Sequence, residues 1–175
     1  TAKECYTRIK NKIGEDALNH PARYALVELT NVHDKSLVFE PIHRVVFDID
    51  PKAMLDALSK YYELGDEGQS FVYVAGSEKK TVYVKNAPTN LAVGTLQKFI
   101  DDYIAKNGGR VDYIHGDEVV KRLGSEDGNA GFLFPSIKKS DLFPTVIRDG
   151  VLPRKAFSMG HAWDKRFYLE ARGIK

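Results

Sequence analysis

The chain has 175 residues, 43% apolar and 29% charged, with a formal net charge of +2. That length buries a core without disulfides or metal, and no apolar run reaches the ~18 to 20 residues that a spanning helix needs. The single cysteine, Cys5, excludes an internal disulfide, and with no signal peptide in view the sequence reads as a cytoplasmic, non-membrane protein.

The charge is unevenly spread. Residues 138–175 carry nine Lys or Arg against four acids, whereas residues 1–137 carry 17 basic and 20 acidic side chains. Bases gathered at one end favour an anionic partner through their summed potential.

In chain order, Cys5, Ile9 and Ile13 fall on one helical face at i, i+4, i+8, so the first segment is expected to form a helix that packs on something. Pro21 closes that segment, and RYALVELTNV follows as a strand. After a turn at His33–Ser36, EPIHRVVFDID alternates His43, Val45, Phe47 and Ile49 against Arg44, Val46 and Asp48, and these two strands are expected to pair. Asp50 and Pro51 start a helix over 51–64, because an Asp cap accepts the orphan N–H groups and Pro at the first position loses no donor. Its stripe is Met54, Leu58, Tyr61 and Tyr62. SFVYVAGSEKKTVYVKN is a hairpin that places Phe71 and Tyr73 on one face and Val72 and Val74 on the other. Leu96, Phe99, Ile100 and Tyr103 mark a helix over 92–106, stopped by Gly108 and Gly109. VDYIH is a short strand, and Gly116–Asp117 opens a helix whose early acids suit its positive end. GFLFPSI reads as a buried strand, SDLFPTVIRDG as a helix containing Pro144, and KRFYLEARGI as a last strand. The pattern predicts a single α+β domain, residues 1–175, with one mostly antiparallel sheet and helices packed on a face.

HPARYALVELTNVHDKSLVFEPIHRVVF, VDYIHG and LPRKAFSMGHAWDKRFYLEARGI together resemble the bacterial and archaeal domain-of-unknown-function family numbered ten-fifteen. The similarity runs over essentially the whole chain but only roughly the C-terminal half of a typical member. It therefore implies an excised C-terminal portion of a longer protein, whose N-terminal half would be a partner. The family's distant likeness to ParB-like proteins and free-serine kinases is suggestive of nucleotide or phosphoryl chemistry. The recurring family positions fall here on Pro41, His43, Arg44, His115, Gly116, Pro153, Lys155 and Ser158. Many members carry aromatic residues before a Lys where this chain has SMGHAWDKRFY.

Beside that resemblance, the residues themselves suggest an anion site. His43 and Arg44 point to opposite faces of their strand: His43 is either a satisfied structural histidine or a ligand group, and Arg44 either a fork for an anion or the partner of Asp48. His115 and Gly116 stand at a strand-to-helix junction, where free N–H groups and the dipole favour anions, although His115 also reads as a plain turn residue. Lys155, Ser158, His161, Lys165 and Arg166 bring varied donors into one tail loop. The expected site therefore comprises His43, Arg44, His115, Gly116, Lys155, Ser158, His161, Lys165 and Arg166, for a small phosphorylated metabolite or nucleotide. The sequence leaves any cofactor unknown, paired metal-ligand spacings are missing, and no nucleic-acid motif accompanies the basic end. The rival reading is an interaction module that docks on the rest of the chain or on a second copy as a homo-oligomer.

Overall fold

A computed structural model describes residues 2–25 and 31–160. The chain divides into two compact units, residues 1–32 and 33–175. The first holds helix α1 (Ala2–Ile13) followed by two 3-10 turns, Gly14–Asn19 and Pro21–Arg23. The helix buries none of its residues, and Cys5 is exposed. His20 ends the first turn and caps the second, its Nδ1 accepting from the Ala22 N–H at 3.1 Å. Half of the strand expected over 23–32, residues 26–30, lies outside the described residues, as do its pairing and the last expected strand, KRFYLEARGI; in the described half no strand forms, since Arg23 belongs to a 3-10 turn and Val32 to a turn.

Among the described residues, the second unit is a seven-stranded sheet with four helices. Its elements are β1 (Phe39–Phe47), α2 (Pro51–Tyr61), β2 (Leu64–Gly65), β3 (Gln69–Ala75), β4 (Glu78–Val84), α3 (Ala92–Asn107), β5 (Arg110–His115), α4 (Asp117–Gly124), β6 (Ala130–Leu133), α5 (Lys139–Asp149) and β7 (Phe157–Met159). The strand order is β2-β4-β3-β6-β1-β5, β7 pairs with the start of β1, and each of these pairings is antiparallel. This is the expected α+β class.

The local signals hold where they are strongest. Asp50 Oδ1 accepts from the N–H groups of Lys52 and Ala53 at 2.9 and 3.1 Å, with Pro51 in the first helical position. The β3–β4 hairpin forms as read, and Phe71 and Tyr73 join one core cluster while Val72 and Val74 join the other. The larger cluster packs Val46, Phe71, Tyr73 and Phe132 of the sheet against Met54 and Leu58 of α2 and Leu96, Phe99 and Ile100 of α3.

The opposite face is covered too. Val120 and Leu123 of α4 meet Val45, Val74 and Leu133 there. Close approach is possible because Gly124 of α4 faces Gly131 of β6: a Cβ at Gly124 would lie 2.8 Å from the Gly131 nitrogen and 3.0 Å from the Val74 carbonyl oxygen. Both faces of β1 are therefore buried at its centre, with Val45 and Val46 fully so. No helix among the described residues is long and apolar enough to cross a membrane.

Candidate functional site

Strand β1 positions two of the expected residues on opposite faces. Arg44 points towards α3, on the Val46 side, and is 0% exposed. Burying a guanidinium is costly unless its donors are met, and here five acceptors meet them. Nε donates to Gln97 Oε1 at 2.7 Å, Nη1 to the carbonyls of Ile42, His43 and Lys155 at 2.8, 3.2 and 3.1 Å, and Nη2 to the carbonyl of Arg154 at 3.1 Å. Gln97 in turn donates to Asp101 at 2.8 Å, so the nearest carboxylate acts through an amide relay. Desolvation brings the Arg44 pKa down to about 10, which leaves the group charged at neutral pH. The Asp48 carboxylate, the alternative partner expected for Arg44, pairs with Arg110 instead.

The fork of Arg44 thus ties down the backbone at residues 154 and 155, and their side chains converge on one ring. Tyr113 lies directly across the ladder from Arg44. The Arg44 guanidinium carbon stands 4.4 Å from its ring centroid, Lys155 Nζ 4.8 Å and the Arg154 guanidinium carbon 5.6 Å. Cation–π attraction favours each contact, but the like charges repel one another. Asp101, 3.6 Å from Arg154 Nη2, is the carboxylate in ion-pair contact with the cluster, and Lys155 has none among the described residues. Lys155 also holds a φ of 51°, the left-handed region that a side chain of its type rarely adopts. The Tyr113 hydroxyl is buried and makes no hydrogen bond among the described residues.

His43 points the other way and is 1% exposed. Its Nδ1 accepts from the N–H of Phe134 at 3.1 Å, an atom that can only donate, so the ring proton sits on Nε2, which donates to Asp117 Oδ1 at 2.9 Å. Burial lowers the His43 pKa, partly opposed by Asp117, and the neutral tautomer is therefore the one this geometry selects. His115 and Glu40, two positions apart across the β1–β5 ladder, form a second histidine–carboxylate pair. Both pairs open on a groove of about 600 Å³ that Gly116 and Ser136 also line. Gly116 has a φ of 95° and opens α4 with no side-chain cap, the first-turn acids Asp117 and Glu118 following it.

The expected residues are therefore divided. His43, His115 and Gly116 meet at the groove, and Arg44 and Lys155 meet at Tyr113. Ser158 stands in β7 opposite Glu40 rather than in a loop, and its Oγ donates to the Gly160 carbonyl at 3.1 Å. His161, Lys165 and Arg166 lie outside the described residues. Tyr113, Gln97 and Glu40 were not singled out by sequence as site residues, and Asp117 was read only as the start of α4. Tyr113 and Asp117 each lie two residues from His115, and Glu40 precedes Pro41, so the signal present was proximity alone. No group of three or more His, Cys, Asp or Glu side chains among the described residues is placed to hold a metal ion.

No match was found among curated proteins. Residues 1–103, which include β1 with His43 and Arg44 and most of α3 with Gln97, match the family described as Protein of unknown function (DUF1015), and the chain belongs to that family.

Proposed function

We propose that this protein binds a small anionic ligand, a phosphorylated metabolite or nucleotide, with the ligand's charge seated between Lys155 and Arg154 over Tyr113. The observation that carries this reading is the charge balance: three cations surround one ring while, among the described residues, a single carboxylate, Asp101, is in ion-pair contact with them. An anion relieves that repulsion, and the strained backbone of Lys155 is the kind of outlier that persists where function needs it. Arg44 serves here as the staple that sets both side chains, and any phosphoryl-transfer step draws further groups from a longer protein.

The test is a thermal-shift screen of nucleotides and phosphorylated metabolites, followed by calorimetric titration of the best compound against wild type and Lys155→Ala. Losing one charge-assisted hydrogen bond of about 1.5 to 3 kcal/mol weakens binding by roughly one to two decades. Equal affinities would refute the reading.

A second reading has its own observation. Along α5 and just beyond it, Phe143, Val146, Ile147 and Val151 recur at helical spacing, with Ile147 85% and Val151 96% exposed. An apolar stripe of this kind suits docking on the rest of the chain or on a second copy. Light scattering of wild type and Ile147→Asp tests it: a self-associating species that the substitution dissolves supports docking on a second copy, and a monomer in both rules that copy out.

A further inference from the structure

A cavity of about 180 Å3 lies between the start of α3 and the connection from β6 to α5. A single water needs roughly 10 to 15 Å3 of such space, so the cavity has room for a small molecule. Its walls set the apolar side chains Leu91, Phe134 and Ile137 beside Gln69 and the first residues of α3. Gln69 Nε2 donates to the Thr89 carbonyl at 3.0 Å, a group that can only accept, which fixes the other amide atom as Oε1. That oxygen is buried and has no hydrogen-bond partner among the described residues. Ala92 and Val93, 8% and 3% exposed, begin α3 with no side-chain cap, and neither N–H has an acceptor among the described residues. The Leu91 carbonyl takes the N–H groups of Gly94 and Thr95 instead, and the Thr89 hydroxyl is spent on that carbonyl and on Thr95 Oγ1, both at 2.9 Å. Native interiors seldom leave such groups open, and here one cavity wall gathers two donors and one acceptor without their complements.

Charge decides which complement fits. Among the described residues no Lys or Arg lines the cavity and Asp141 does, while the Asp149 carboxylate accepts from the Asn90 N–H at 2.5 Å, so the positive end of α3 already faces an acid. A second full anion is repelled there, whereas a neutral acceptor is not. We infer that this cavity takes a small neutral molecule bearing an unsubstituted carboxamide. Its carbonyl oxygen accepts from the N–H groups of Ala92 and Val93, its NH2 group donates to Gln69 Oε1, and its carbon body lies against Phe134 and Ile137. A site built of unpaired donors and acceptors discriminates strongly against a ligand that lacks either kind of group. The inference goes beyond the anion reading and uses none of its residues.

Three probes of one shape separate the terms: benzamide with donor and acceptor, acetophenone with the acceptor alone, and benzoate with a full charge. In NMR titrations of the isotope-labelled chain, benzamide shifts the Val93 amide signal and binds about tenfold tighter than acetophenone, the difference that one hydrogen bond to a buried acceptor makes, and benzoate binds weakest. Gln69→Met removes the acceptor but keeps an unbranched side chain, so benzamide falls to the level of acetophenone, whose own affinity stays as it was. Where that variant does not fold, the ranking of the three probes on wild type decides. Equal affinity for benzamide and acetophenone would overturn the carboxamide assignment, as would an advantage that survived Gln69→Met. Benzoate binding tighter than benzamide would overturn the neutral ligand. A Val93 signal that none of the probes moves at saturation would show that water alone meets these groups, and the site would fall.

Discussion

Replacing Arg44 with Met tests whether a buried guanidinium organises this site. The side chain donates to five acceptors, Gln97 Oε1 and the carbonyls of Ile42, His43, Arg154 and Lys155. Bonds to a charged donor contribute about 1.5 kcal/mol each at the low end, roughly 7 together. Against that stands the cost of desolvating the charge. The fall in pKa from 12.5 to about 10 corresponds to about 3 kcal/mol, which Met does not incur. The difference is about 4 kcal/mol, the cost of leaving those acceptors without their donor. In urea, with a slope near ~2 kcal/mol/M, the unfolding midpoint followed by circular dichroism falls by about 2 M. Hydrogen exchange over residues 154–158 accelerates by more than the loss of global stability explains, because the carbonyls of 154 and 155 lose their anchor. Arg44→Lys retains the charge but not the planar fork, and it recovers less than half of the loss. A midpoint shift below about 0.5 M for Arg44→Met would show that bonds and desolvation cancel, and the staple would have to be abandoned.

Three further outcomes follow from single contacts. Tyr113→Phe removes a buried hydroxyl that has no partner among the described residues, so stability in urea is unchanged or rises by up to about 1 kcal/mol; a clear loss would mean that the hydroxyl is bonded. Gly124→Ala drives a methyl group against backbone atoms of Gly131 and Val74, which cannot swing aside, and costs about 1 to 3 kcal/mol by thermal or urea unfolding, whereas a neutral outcome would place α4 farther from the sheet. His43 has its pKa lowered from 6.5 by burial, so the unfolded chain takes up the proton first as pH falls: the neutral ring's contribution is complete above about pH 6.5 and is lost towards the lower folded value. His43→Asn removes that part of the acid-side loss, and unaltered pH dependence in the variant would rule out His43 as its source.

What could be read from the residue pattern differs sharply from element to element, and the reason is range. Asp50 and Pro51 announce a helix because cap and first position are adjacent in sequence, and the β3–β4 hairpin announces itself because both strands and their turn lie within one short stretch. β7 is three residues long, too short for any period to show, so Ser158 looked like part of a loop until Phe39–Pro41 paired with it. The alternation in β1 correctly separated His43 from Arg44, but alternation alone does not tell whether one face or both are covered. The contiguous Val45–Val46 pair is the clue to the contrary: a strand covered on both faces has no outward side, so its polar residues must find partners inside. Once Arg44 is inside, its acceptors decide everything else. They include the carbonyls of residues 110 and 111 positions away, a pairing that no local pattern encodes. Lys155 and Arg154 reach Tyr113 because that long-range fork fixes their backbone, and the basic pair visible in the sequence becomes a candidate site only through it. Composition therefore located the cations, whereas their convergence on one ring is a property of the packed β1–β5 ladder alone.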